Sequence, residues 1–103
     1  MRLRNLVFGA LALALVLGST MAADAAGVGE FCGGIAGIQC DKGLWCDPAP
    51  GQCFVADGAG TCIKVPRRCP KLLAPVCGCN GKTYANDCYR ERRRIGKKSD
   101  GRC

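Results

Sequence analysis

All ten cysteines of this 103-residue chain fall between Cys32 and Cys103, and that density limits what the chain can fold into. A stretch so short has little apolar interior. Ordering costs roughly 1.5 kcal/mol per residue against burial worth about 25 cal/mol per Å², so cross-links must supply the missing stability. An even count implies five bridges and an oxidising destination. The N-terminus fits that destination. Arg2 and Arg4 precede an uncharged, mostly apolar run from Leu6 to Leu17, too short for a permanent membrane span. Ala23-Asp24-Ala25 then satisfies the A-x-A rule. Residues 1–25 are therefore read as a signal peptide, with cleavage after Ala25 and Ala22 or Ala23 as alternatives. The expected location is secreted or periplasmic. No cysteine near the cleavage region offers a lipid attachment point.

Missing residue types exclude whole classes of chemistry. The chain has no histidine, and its only serines are Ser19 and Ser99, so a hydrolytic triad cannot be assembled. A zinc site would need four thiolates or carboxylates, and the Cys77-x-Cys79 pair would have to escape oxidation. No enzyme, metal site or cofactor is expected.

Gly43 and the run Asp47-Pro48-Ala49-Pro50-Gly51 mark turns in the first cysteine-rich stretch, where long helices are excluded. Leu44-Trp45 and Phe54-Val55 read as strand-like pieces of short hairpins, with Trp45 packed against a bridge. Ala56-Asp57-Gly58-Ala59-Gly60-Thr61 reads as a loop, and it divides a hairpin module over 26–61 from a second unit over 62–103. In that unit Asn80-Gly81 predicts a tight two-residue hairpin. Asn86 then caps a helix that runs through Asp87, Cys88, Glu91 and Arg92 to Ile95 and stops at Gly96, acidic early and cationic late. Cys88 and Ile95 would share its inward face. The fold class is small disulfide-rich α+β.

The segment Cys69-Pro70-Lys71-Leu72-Leu73-Ala74-Pro75-Val76-Cys77-Gly78 is followed by Asn80-Gly81-Lys82-Thr83-Tyr84-Ala85-Asn86-Asp87-Cys88. Seven residues separate Cys69 from Cys77, and ten separate Cys77 from Cys88. Together these residues resemble the signature of Kazal-type serine protease inhibitors across residues 62–103. The resemblance implies an inhibitory loop over Cys69, Pro70, Lys71, Leu72, Leu73, Ala74, Pro75, Val76 and Cys77. Lys71 would enter the specificity pocket of a trypsin-like protease, Lys71-Leu72 would be the reactive bond, and Asn86 and Tyr84 would support the loop from behind. Leu73 stands where many inhibitory members place tyrosine. Both loop ends are tied by cysteines and two torsions are held by prolines, so the loop meets an enzyme already ordered.

The family's pairing implies Cys69–Cys88 and Cys77–Cys103. One family cysteine is missing, because Glu91 stands in its place, and Cys79 is extra. Cys79 is inferred to replace it as the partner of Cys62. The four cysteines before this unit resemble a follistatin-like module, which implies Cys32–Cys46 and Cys40–Cys53. The Cys-Gly-Gly start, Gly-Leu-Trp-Cys and Gly-Thr-Cys also resemble growth-factor-binding-protein-like repeats, which instead pair Cys40 with Cys62 and leave Cys53 for Cys79. Sequence leaves both arrangements open.

Net charge is +7, and Arg90, Arg92, Arg93, Arg94, Lys97, Lys98 and Arg102 crowd the C-terminus. Such a patch suits salt-sensitive polyanion contacts through Arg90, Arg92, Arg93, Arg94, Lys97 and Lys98, while the lack of interleaved aromatics argues against specific nucleic-acid binding. Three classes follow: a monomeric inhibitor of a trypsin-like protease, a noncatalytic follistatin-like interaction module with a basic face, and a membrane-active cationic peptide. Only Ile95 offers the last an apolar position.

Overall fold

The computed structural model describes residues 25–103, so the apolar leader, apart from Ala25, lies outside the described residues. Two three-stranded antiparallel sheets and one short helix are the regular elements of the described residues, and turns and loops connect them. In the first sheet β1 (Phe31–Gly33), β2 (Leu44–Pro48) and β3 (Ala59–Lys64) are ordered β1-β3-β2. Gly43, at φ 86°, closes the turn in which Leu44 N–H donates to the Asp41 carbonyl, and β2 starts there. In the second sheet β4 (Val76–Gly78) is central, flanked by β5 (Thr83–Tyr84) and β6 (Lys97–Asp100). Helix α1 (Asp87–Arg92) follows β5.

The core of the first sheet is sulfur. Cys32 and Cys62 are fully buried with Ala26, and Cys40, Leu44 and Cys46 pack against them. Large apolar side chains lie outside: Ile35 is 90% exposed and Phe54 91%. Bridges therefore take the place of an apolar interior.

Several expectations need correction. The bridges are Cys32–Cys46, Cys40–Cys62, Cys53–Cys79, Cys69–Cys88 and Cys77–Cys103. The expected Cys62–Cys79 and Cys40–Cys53 bonds are not formed. Cys62 sits in β3 opposite Cys46, inside the first sheet and facing Cys40, which leaves Cys53 to reach Cys79. The boundary expected after Thr61 consequently cuts β3. Ala59 and Gly60 read as loop by composition, yet both belong to β3, and its close approach to β2 requires glycine at position 60, where any Cβ would strike the Asp47 backbone. Phe54-Val55 forms no strand and lies in a succession of turns. Trp45 faces Ile63 across β2 and β3, on the side opposite Leu44 and Cys46, so it does not cover the sulfur core.

The hairpin and helix also differ in detail. Gly78 N–H donates to the Lys82 carbonyl and Gly81 N–H to the Gly78 carbonyl, so the connection holds three residues, with Gly81 left-handed at φ 80°. Asn80 still shapes it, its Oδ1 accepting from Lys82 N–H. Helix α1 ends at Arg92, before Ile95. Ile95 N–H donates to the Arg90 carbonyl and Arg94 N–H to the Glu91 carbonyl, the paired bonds of a Schellman motif. Its left-handed position is Arg94, at φ 54°, where glycine is usual. Cys88 and Ile95 therefore share no helical face.

The two sheets are joined by more than the 65–75 connection. Cys53–Cys79 links the turns before β3 to the hairpin, Gly51 N–H donates to the Lys97 carbonyl at 2.9 Å, and Asp47 of β2 meets Arg90 of α1.

Candidate functional site

Residues Val65–Pro75 carry no regular secondary structure, yet the stretch from Cys69 onward is held at several points. Cys69 is bridged to Cys88 on α1, and Cys77, buried in β4, is bridged to Cys103. Between them Ala74 N–H donates to the Ala85 carbonyl and Gly101 N–H to the Pro75 carbonyl, both at 2.8 Å. Lys71 is exposed at the crest, followed by Leu72 at 60% and Leu73 at 72% exposure.

Asn86 is the centre of the arrangement. Only 5% exposed, it donates from Nδ2 to the carbonyls of Pro70 at 3.1 Å and Leu72 at 2.8 Å, one on each side of Lys71. Its Oδ1 accepts from Tyr89 N–H, capping α1. One buried amide thus has both donors and its acceptor occupied, and it couples the loop crest to the helix N-terminus. Tyr84, expected as a second support, makes its identified contacts with the hairpin instead: its hydroxyl accepts from Asn80 Nδ2 at 2.8 Å and its ring lies over Gly78. Tyr89, which the sequence reading did not single out, joins Lys71, Leu72, Leu73 and Ala85 in lining a groove of about 310 Å³ beside the crest. Only its position three residues after Asn86, on the first turn, could have placed it there.

The charges sort differently from expectation. Arg90 is 3% exposed; its guanidinium binds both carboxylate oxygens of Asp47, at 3.0 and 3.3 Å, as well as Asp87 at 2.9 Å and the Ile95 carbonyl at 2.7 Å. Lys97 binds Asp87 at 3.1 Å and Asp100 at 2.7 Å. Burial alone would raise the Asp87 pKa, but hydrogen bonds and charge from Arg90 and Lys97 outweigh it and hold the carboxyl below its usual value. Arg90 and Lys97 are therefore structural cations, and neither is free to meet a polyanion. The sulfurs of Cys32, Cys40 and Cys62 lie within 4.8 Å of one another, but each is spent in a disulfide and offers no thiolate.

A family model for the Kazal-type serine protease inhibitor domain matches residues 62–103, the stretch that carries this loop and its brace. Serine protease inhibitor Kazal-type 12 of Mus musculus is 36% identical over 59 residues, covering 50% of this chain and 68% of that protein. The chain belongs to the Kazal-type serine protease inhibitor family. Ovoinhibitor of Gallus gallus is 35% identical over 69 residues, and serine protease HTRA1B of Danio rerio is 38% identical over 78. This Kazal-family chain spans 13% and 15% of those two proteins. The second match covers 66% of the chain and so reaches residues before the Kazal unit. Among the described residues no helix is long and apolar enough to cross a membrane.

Proposed function

We propose that the chain inhibits a trypsin-like serine protease by the substrate-like mechanism, presenting the Lys71–Leu72 bond. The observation that carries this reading is the pair of hydrogen bonds from Asn86 to the carbonyls on either side of an exposed lysine. Lys71 then enters the protease's primary pocket, its ammonium paired with a carboxylate at the base in a desolvated contact. The loop arrives ordered, so binding forfeits little conformational entropy. When the enzyme's serine attacks the Lys71 carbonyl, the C–N bond breaks and the Leu72 amine takes up the proton relayed by the enzyme's base. Cys69–Cys88, Cys77–Cys103 and the bond from Ala74 to Ala85 keep that amine beside the acyl-enzyme. Re-formation of the peptide bond then competes with hydrolysis, because the amine acts at a high effective concentration. Five bridges suit a secreted or periplasmic site of action.

Titration of oxidised residues 26–103 against trypsin tests the proposal. Residual activity should fall to zero near equimolar ratio, and Lys71→Ala should raise the inhibition constant by at least about a thousandfold, the scale of a central anchor residue. Lys71→Leu should move inhibition toward a chymotrypsin-like enzyme. A correctly bridged protein that leaves trypsin fully active, or a Lys71→Ala variant that still titrates it, removes the assignment.

A further inference from the structure

A second groove, of about 490 Å³, shares no lining residue with the groove beside the loop crest and is lined by Gly43, Lys64, Val65, Pro66, Arg67, Arg92 and Arg94. Its cations come from three places: the end of β3, the connection that follows it, and the C-terminal end of α1. No acidic residue lines it. Among the described residues Lys64, Arg67, Arg92 and Arg94 have no carboxylate partner, whereas Arg90 and Lys97 are fully engaged with theirs. Four neighbouring cations without a carboxylate partner, Arg92 resting on the Tyr89 ring at 5.1 Å, repel one another, and an anion relieves that repulsion. Arg94 adds an independent argument, because it occupies the left-handed position of the Schellman motif where glycine is the conformationally favoured residue. A side chain kept against local preference points to use at that place.

We propose that this groove binds a linear sulfated polysaccharide, holding the inhibitor on an anionic matrix with its reactive loop free. The groove favours this ligand over the other polyanions. Its walls carry Val65 and Pro66 but no aromatic ring on which a base could stack. A flat bilayer does not enter a concave cleft, and the adjoining helix has only six residues, too few for an interfacial anchor. Planar guanidinium groups match sulfate oxygens as bidentate donors. Lys71, Leu72 and Leu73 are not among the lining residues, so the polysaccharide leaves the loop crest uncovered, although the two grooves adjoin where Arg92 lies over the Tyr89 ring at 5.1 Å.

The test compares three forms of the oxidised chain on a heparin oligosaccharide by calorimetry across a salt series. They are the unmodified chain, a groove variant Lys64→Thr/Arg67→Gln/Arg94→Gly, and a charge-matched control Lys82→Gln/Lys98→Gln/Arg102→Gln. The groove variant should bind at least about tenfold more weakly, with its salt slope reduced by about one per removed cation. The control should change by under about threefold, because those charges act only at long range. Trypsin titration of the groove variant should match that of the unmodified chain, which separates this proposal from the inhibitor reading. Equal loss in the control and groove variants overturns the groove in favour of diffuse net charge. Tighter binding to phosphatidylserine vesicles or duplex DNA than to the oligosaccharide overturns the assigned ligand.

Discussion

Asn86 carries two jobs through one side chain, and its variants can separate them. Alanine removes the cap on Tyr89 N–H and the two bonds to the loop, a loss of roughly 3 kcal/mol at about 1 kcal/mol each. Aspartate keeps an acceptor for the cap and adds favourable charge at a helix N-terminus. It also replaces the two N–H donors of Nδ2 with a single carboxylate oxygen that faces both the Pro70 and Leu72 carbonyls. Asn86→Asp should therefore retain the helix yet release the loop, turning the proposed inhibitor into a substrate that trypsin cleaves after Lys71. Mass spectrometry of the cleaved fraction over hours, beside far-UV circular dichroism, checks this. An Asn86→Asp variant as resistant to cleavage as the unmodified chain would show that the disulfides and the backbone bonds at Ala74 and Pro75 order the loop without this side chain. Asn86 and Lys71 were legible in the sequence because a contiguous motif holds them. Tyr89 was not, since its place beside the crest depends on how the helix docks.

At the scale of the element, α1 carries two acidic residues whose pKa values shift in opposite directions. Asp87 has a folded pKa below its ordinary value of 3.8, so its contribution is present in full above that value. That contribution is lost as pH falls from there through the lower folded value. Glu91 is raised, chiefly by burial, so its ionisation as pH rises through the raised value weakens the fold instead. Stability should decline on acidification below about pH 4, and Asp87→Asn should flatten that decline while lowering stability at pH 7. Urea midpoints from pH 2 to 7 for the two proteins measure it; parallel curves would assign the acid limb to another carboxylate. The start of this helix was legible because Asn86 is a local capping signal. Its end was not, because Gly96 invited a later stop and the Schellman turn settled on Arg94 instead. The same contrast holds for the strands: Leu44-Trp45 alternates beside a turn glycine, whereas Gly60 looks like loop until β2 lies against it.

For the whole molecule, the sequence suggested two consecutive modules, and the structure interlocks them. Bridge pairing was legible where family spacing governed it, at Cys69, Cys77, Cys88 and Cys103. It was ambiguous at Cys40, Cys53, Cys62 and Cys79, whose partners depend on β3 crossing into the first sheet. The interlock also has an electrostatic part that no local pattern announces, because Asp47 and Arg90 are 43 residues apart. Their side chains are 14% and 4% exposed, so removing Asp47 leaves two guanidinium N–H groups of a buried cation unpaired, with Asp87 as its remaining close carboxylate. Asp47→Ala should cost roughly 3 kcal/mol, although it lies in the first sheet, far along the chain from the loop. Asp47→Leu combined with Arg90→Met should cost less than Asp47→Ala, because no buried guanidinium donor is left unpaired. Guanidinium denaturation of the three oxidised proteins decides between two pictures. A loss below about 1 kcal/mol for Asp47→Ala would mean that the pair behaves as a surface contact and that the Cys53–Cys79 bridge and the Gly51 backbone bond couple the sheets without it. The larger loss would make the first module part of the scaffold that holds α1, and through Asn86 part of what holds the loop.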